Sequence, residues 1–307
     1  MIERDRRTGA VLSVGRIYCD LVFTDLDAFP TLGREVYAGD LAIVAGGGAY
    51  IAAAHLAALG RATALVARLG LDRLSAGLDD ELGASGVDLR FLDRTAEAGP
   101  QVTVAIASRD ERAFLTRRAG RARPATLERA LAWGEAVHLH IAEYATLAEI
   151  PDLVGRARAH GLTVSLDPSW DDALIRSGGL LEACDGVDVF LPNREEALAI
   201  TGETRAEAAL EALAARFPVV ALKAGADGAL LAAGELRRHA PARAVPVVDT
   251  TGAGDAFDAG FVHAWLAGAS PERTLAAAIE AASVAVQGPG GRGALSSALP
   301  QARRGLA

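Results

Sequence analysis

The chain has 307 residues, 51% of them apolar, which suits a soluble protein with one large or two modest hydrophobic cores. Its 31 basic against 39 acidic residues leave a formal charge of −8, a poor balance for a general nucleic-acid or membrane-surface binder. Two cysteines far apart, Cys19 and Cys184, exclude a disulfide framework and a CxxC centre, and suit a reduced compartment.

The amino terminus is mostly charged through Arg7, and the apolar run Val11–Val14 is too short for a signal core. No segment approaches the length a membrane span requires, so a soluble cytoplasmic protein is expected. Short Val/Leu/Ile-rich runs then alternate with Ala/Leu-rich helical patterns. Strands are predicted at Ala10–Val14, Thr63–Ala67, Ala136–His140, Thr163–Asp167, Val187–Leu191 and Val219–Lys223. Helices are predicted at Ala49–Leu59, Leu74–Ser85, Thr126–Trp133, Leu147–His160 and Arg205–Phe217. Apolar strands linked by helical crossovers imply a mostly parallel α/β sheet covered on both faces, with ligands bound beyond the carboxyl ends of its strands.

Two regions break this rhythm. Tyr18–Asp40 and roughly Leu89–Arg118 carry alternating patterns punctuated by Gly, Pro and Asp. Within the second, Val102–Ala107 and Ala113–Thr116, joined through Ser108-Arg109-Asp110-Glu111, read as a hairpin. A small antiparallel sheet built from these regions would either cover a substrate site or decorate an edge. Arg112, Arg117 and Arg118 lie on or just after it, as a solvated basic surface or as groups facing an acidic or phosphorylated substrate. With no internal repeat or interdomain linker, one domain over 1–307 is expected.

Gly46-Gly47-Gly48-Ala49 opens the first helix, where glycine lets a ligand or another backbone approach the N-terminus. His138 and His140 share one strand face and read as packed side chains, and Asp167-Pro168 ends a strand. Asn193 with Glu196 three residues on fits a helix cap. Lys223 to Gly228 reads as strand, tight turn and the start of another strand, a turn that also suits nucleotide contact. The most informative run is Asp249-Thr-Thr-Gly-Ala-Gly-Asp-Ala-Phe257. A Gly-rich turn at a helix start supplies backbone N–H donors and the positive end of the helix dipole, a site for phosphate. Asp255 places a proton acceptor on the same first turn. By contrast, Gly288-Pro-Gly-Gly-Arg-Gly293 matches GxGxxG only formally, because it follows a helix instead of a strand; no GxxxxGK[ST] occurs.

Together these residues resemble the ribokinase-like (PfkB) carbohydrate kinases over nearly the whole chain. The resemblance implies a ribokinase-like α/β fold, helices on both faces of a mostly parallel sheet, with a small β lid at about 16–40 and 89–118 that often forms a dimer interface in relatives. It makes Asp255 the catalytic base and Gly252, Ala253 and Gly254 the anion hole. Asp20, Gly47, Gly48 and position 51 would hold the acceptor, and Ile51 stands where relatives carry an Asn that contacts a sugar hydroxyl. Asn193, Lys223, Gly225, Gly228, Gly252 and Gly254 would contact ATP. Asn193 and Glu196 would place hydrated Mg2+, and Asp249 with the residues after Gln287 matches a monovalent-cation site, K+ being the ion to consider. Ser169 replaces a frequent Asn, and Glu280 falls near the helix that borders the adenine. The expected activity is ATP-dependent phosphorylation of a hydroxymethyl group on a sugar-like molecule. The alternatives are a nucleoside or sugar-acid kinase, a non-catalytic kinase-like binding protein, and an NAD enzyme disfavoured by the failed fingerprint.

Overall fold

The computed structural model describes residues 5–107 and 112–288. Eight strands form the main sheet, in the spatial order Leu236–Ala240, Ala229–Ala233, Val219–Lys223, Val189–Phe190, Thr163–Leu166, Ala136–Ile141, Ala10–Val14 and Thr63–Val66. The last six run parallel, and Ala229–Ala233 pairs antiparallel with both of its neighbours, Val219–Lys223 and the edge strand Leu236–Ala240. Every residue of Ala10–Val14, Thr63–Val66, Ala136–Ile141 and Thr163–Leu166 is buried, as continuous apolar strands between two helical layers require. His138 and His140 are absorbed inside the sheet. His138 bonds Thr163 and Ser165 at 2.8 Å each, and His140 Nδ1 bonds the same Ser165 hydroxyl at 2.9 Å.

Two predicted helices are broken. Leu74–Ser85 becomes Arg73–Ala76, capped by Asp72, and Asp79–Ala84; Leu147–His160 becomes Tyr144–Glu149 and Leu153–Ala159. Pro151 explains the second break, since it lacks the N–H an uninterrupted helix would use. The predicted strand Val187–Leu191 keeps its ladder only at Val189–Phe190.

The irregular regions build a separate four-stranded sheet, in the order Ala38–Gly46, Tyr18–Leu26, Val102–Ala107 and Arg112–Arg117. Its middle pair is parallel, not antiparallel as expected, because Val102–Ala107 arrives from the main body alongside Tyr18–Leu26. Its first hairpin runs to Gly46, six residues past the expected boundary at Asp40, and the predicted turn Ser108–Glu111 lies outside the described residues. Four helices frame the carboxyl edge of the sheet: α1 (Gly48–Ala58), α2 (Arg194–Thr201), α3 (Ala253–Leu266) and α4 (Pro271–Ala285). α3 packs on α1 and α4. Gly260 permits the second contact, since a Cβ there would sit 2.7 Å from the Ala277 carbonyl. Among the described residues no helix is long and apolar enough to cross a membrane.

Candidate active site

The parallel strands end toward one edge of the sheet, where Lys223 closes its strand and Arg16, Glu143, Asp167 and Asn193 follow theirs. A cleft of about 770 Å³ opens there, lined by Asp167, Asn193, Glu196, Lys223, Gly225, Gly228, Ala253, Gly254 and Asp255. Its outer wall includes the apolar residues Val245, Val247, Ile279, Ala282 and Val286. The predicted nucleotide residues are therefore brought together, apart from Gly252, which caps the helix just outside the lining. Glu280 is not on the wall; it pairs with Arg243, which is.

Gly252 occupies the cap of α3 at φ 72°, a left-handed conformation suited to glycine, and no side chain caps the helix. The first-turn residues Ala253, Gly254 and Asp255 face the cleft instead. Upstream, the Asp249 carboxylate accepts from Thr251 N at 2.9 Å, while the Val248 and Asp249 amides bond the Val286 carbonyl beyond α4. The glycine run predicted to complete a cation site with Asp249 lies, after Gly288, outside the described residues.

Asn193 caps α2 in a closed capping box: its Oδ1 accepts from Glu196 N at 2.9 Å, and Glu196 Oε2 accepts from Asn193 N at 2.8 Å. Glu196 is 3% exposed, yet it borders the cleft. Burial, with the Asp167 charge, pushes its carboxyl up to about 7. These hard oxygen donors suit Mg2+. No three His, Cys, Asp or Glu side chains among the described residues gather as a metal cage, so such an ion would draw further ligands from water and phosphate.

The cleft floor is a buried charge cluster. Lys223 Nζ lies 2.7 Å from Asp167 Oδ2 and 3.1 Å from Asp258 Oδ1, and a Cβ on Gly254 would sit 3.6 Å from it. Burial opposes the charge on Lys223, but Asp167, Asp258 and Glu196 outweigh it and hold the ammonium well above its ordinary range. Asp258 is fully buried, and burial drives its carboxyl strongly upward. Asp258 was not anticipated, although its place one turn beyond Asp255 on α3 puts it on the same face.

On the other side of Asp255 lies the group expected to hold an acceptor. A Cβ on Gly48 would fall 2.7 Å from Asp255 Oδ1, so the base rests against the start of α1. The Asp20 carboxylate lies against Gly46, and its charge is one of those raising the carboxyl of Asp255. Burial is the largest cause, followed by Asp167, and together they bring Asp255 to about 7. Gly47, at φ 91°, sits against the Tyr18 ring and the Arg16 carbonyl. Ile51 is placed differently: 7% exposed, it belongs to an apolar cluster with Cys19, Ala45 and Leu78. Glu143, absent from the sequence candidates, follows the strand Ala136–Ile141 and lies 4.0 Å from Arg16, its carboxyl raised chiefly by burial. Arg118 is tied to Asp171 at 2.6 Å and Arg117 to the Pro100 carbonyl, so both are engaged with the protein itself.

A doubly covered parallel sheet, a cleft at its carboxyl edge and a carboxylate on a glycine-capped helix define a ribokinase-like α/β protein. The chain belongs to the pfkB family of carbohydrate kinases, whose family model matches residues 9–298. It is 28% identical to the ribokinase of Bacillus subtilis, over 92% of this chain and 94% of that one. It is 30% identical to the ATP-dependent ribose-1-phosphate kinase of Halopiger xanaduensis, over 86% and 88%. Its 31% identity to the bifunctional protein HldE of Azotobacter vinelandii covers 85% of this chain but 55% of that protein, and an uncharacterized sugar kinase of Archaeoglobus fulgidus is matched over 42% of its length, so the chain spans about half of these relatives. Arabidopsis thaliana ribokinase, solved with ribose and ATP, superimposes with a TM-score of 0.80 at 25% identity, covering 94% of this chain and 95% of that one.

Proposed function

We propose that the protein is an ATP-dependent kinase that phosphorylates a hydroxyl, foremost a hydroxymethyl group, of a sugar or sugar-like molecule, with Asp255 as general base. The observation that carries this reading is the position of Asp255. It sits on the first turn of α3, lining a cleft large enough for a nucleotide, with its carboxylate against Gly48 at the start of α1 and within reach of the Asp20 charge. The acceptor hydroxyl gives its proton to Asp255 as its oxygen bonds the γ-phosphorus, and the bond to ADP breaks. A carboxyl near 7 is matched to that task at neutral pH. The amides of Gly252, Ala253 and Gly254, with Lys223 beneath them, would stabilise charge on the transferring group. Asn193 and Glu196 would hold Mg2+, which supplies charge neutralisation on the phosphates, and K+ is the ion to test beside Asp249.

The four-stranded sheet would serve as the lid, since its strand Tyr18–Leu26 carries Asp20 to the acceptor side and closure excludes competing water. Its far face would pair with a second copy. Ribokinase and ribose-1-phosphate kinase among the relatives support a sugar or sugar phosphate as acceptor. The test is ADP release across sugars, sugar phosphates, sugar acids and nucleosides with Mg2+ and K+. At least one acceptor should stimulate release, and Asp255→Asn should reduce it on the order of 10²–10⁴-fold while ATP still binds. Failure of every acceptor to exceed water, or full activity in the variant, would overturn the assignment.

A further inference from the structure

Four chain crossings join the small sheet to the main body, at residues 15–17, 46–48, 100–101 and 118–120, and Arg16 touches all of them. Its Nη1 donates to Gln101 Oε1 at 2.7 Å and to the Ala119 carbonyl at 3.0 Å. Its Nη2 donates to the Gly120 carbonyl at 3.0 Å and to Glu149 Oε1 at 2.5 Å, and Glu149 also receives Ala122 N at 2.7 Å. Gln101 passes the connection back to the Ile17 carbonyl at 3.0 Å. The crossing at 46–48 closes on the Arg16 backbone, whose carbonyl occupies the space a Cβ on Gly47 would need. The Arg16 side chain is 3% exposed and that of Glu149 32%, so this is a largely buried joint in which one planar fork serves acceptors from three segments at once.

We infer that Arg16 is a positioning residue: it fixes the angle of the small sheet on the main body and so the separation between Asp20, four residues further on, and Asp255. The inference rests on the kinase reading for its catalytic consequence, but not for its geometry. An exposed salt bridge would contribute little, whereas removing one partner from an enclosed network leaves the others unpaired. The crossings would then rotate independently, and Asp20 would no longer hold the acceptor within reach of the base. The nucleotide cleft, built on α2, α3 and Lys223, contains none of the Arg16 partners.

Arg16→Met and the milder Glu149→Gln test this, with the best acceptor among D-ribose, ribose 1-phosphate, fructose 1-phosphate and adenosine. The acceptor KM should rise about tenfold or more in Arg16→Met and severalfold in Glu149→Gln. The affinity for Mg·AMP-PNP, by calorimetry, should stay within about twofold, and acceptor-independent ATP hydrolysis should grow relative to transfer. Equal loss of acceptor and nucleotide affinity, or a lowered melting temperature with unchanged kinetics, would reduce Arg16 to a structural brace and overturn the inference. Should Arg16→Met not fold, Glu149→Gln decides. Spin labels at Asp40→Cys and Ala159→Cys, with the native Cys19 and Cys184 buried, read the sheet angle without any acceptor. The distance distribution should be narrow with Arg16 and broad without it; an unchanged distribution counts against the inference even if no acceptor turns over and the kinase reading itself fails.

Discussion

Asp255 is half-buried at the cleft, where desolvation and the Asp167 and Asp20 charges raise its carboxyl from the ordinary carboxylate range to about 7. A raised carboxyl favours the folded state below its unfolded value, near 4, and that advantage is lost as pH climbs through 7. Asp255→Asn should therefore stabilise the nucleotide-free protein above pH 7, on the order of 1–3 kcal/mol, and leave it unchanged at pH 4. Urea midpoints at the two pH values check this, and kcat of the wild-type enzyme should rise through about 7 and then level as the base ionises. Lys223 carries the opposite liability. As the cation between Asp167 and Asp258, its loss in Lys223→Met should destabilise the fold by about 3–5 kcal/mol. Lys223→Met/Asp258→Leu should recover part of that loss, because it removes one of the stranded carboxyls; urea unfolding of the two variants measures the difference.

At the level of elements, α1 and α3 bring their N-termini to the same point, and the contact depends on Gly48. A methyl group there would meet Asp255 Oδ1 at 2.7 Å and the Ala142 carbonyl at 3.2 Å. Gly48→Ala should push the carboxylate aside and lower kcat about 10–100-fold with little change in Mg·ATP affinity, which steady-state kinetics against both substrates would separate. The capping box of α2 was readable from Asn193 and Glu196 because its chemistry is local. Leu74–Ser85 and Leu147–His160 were misread as continuous because apolar spacing persists across their breaks. Pro151 marks the second, whereas the first falls at the turn of Gly77 and Leu78, where both residues keep near-helical angles.

In the whole molecule, the small sheet presents two apolar cross-strand rows on one face: Leu41, Phe23, Ile106 and Ala113, then Ile43, Leu21, Val104 and Leu115. Leu41, Ile43 and Leu115 are 45%, 55% and 73% exposed, and such a contiguous patch favours association. The next row, with Cys19 and Ala45, is buried against Leu74, Leu78 and Leu82, so the face continues the core outward. If two copies pair there, the protein should sediment as a dimer, and Ile43→Glu/Leu115→Glu should sediment as a monomer of unchanged circular dichroism.

The six parallel strands, the glycine-capped start of α3 and the carboxylate at Asp255 were legible in the sequence, because each rests on short-range chemistry: β-forming apolar runs, helix capping and a dipole at a helix end. The separate sheet was legible as broken rhythm, but not its parallel central pair, which depends on where the returning chain lands. Nor could spacing reveal that Asp258, Asp167 and Lys223 share one buried charge site, that Ile51 turns into the apolar cluster, or that Arg16 meets Gln101, Ala119, Gly120 and Glu149. Those contacts join residues up to 133 positions apart, and only tertiary packing decides which distant side chains face one another and which charges are left buried together.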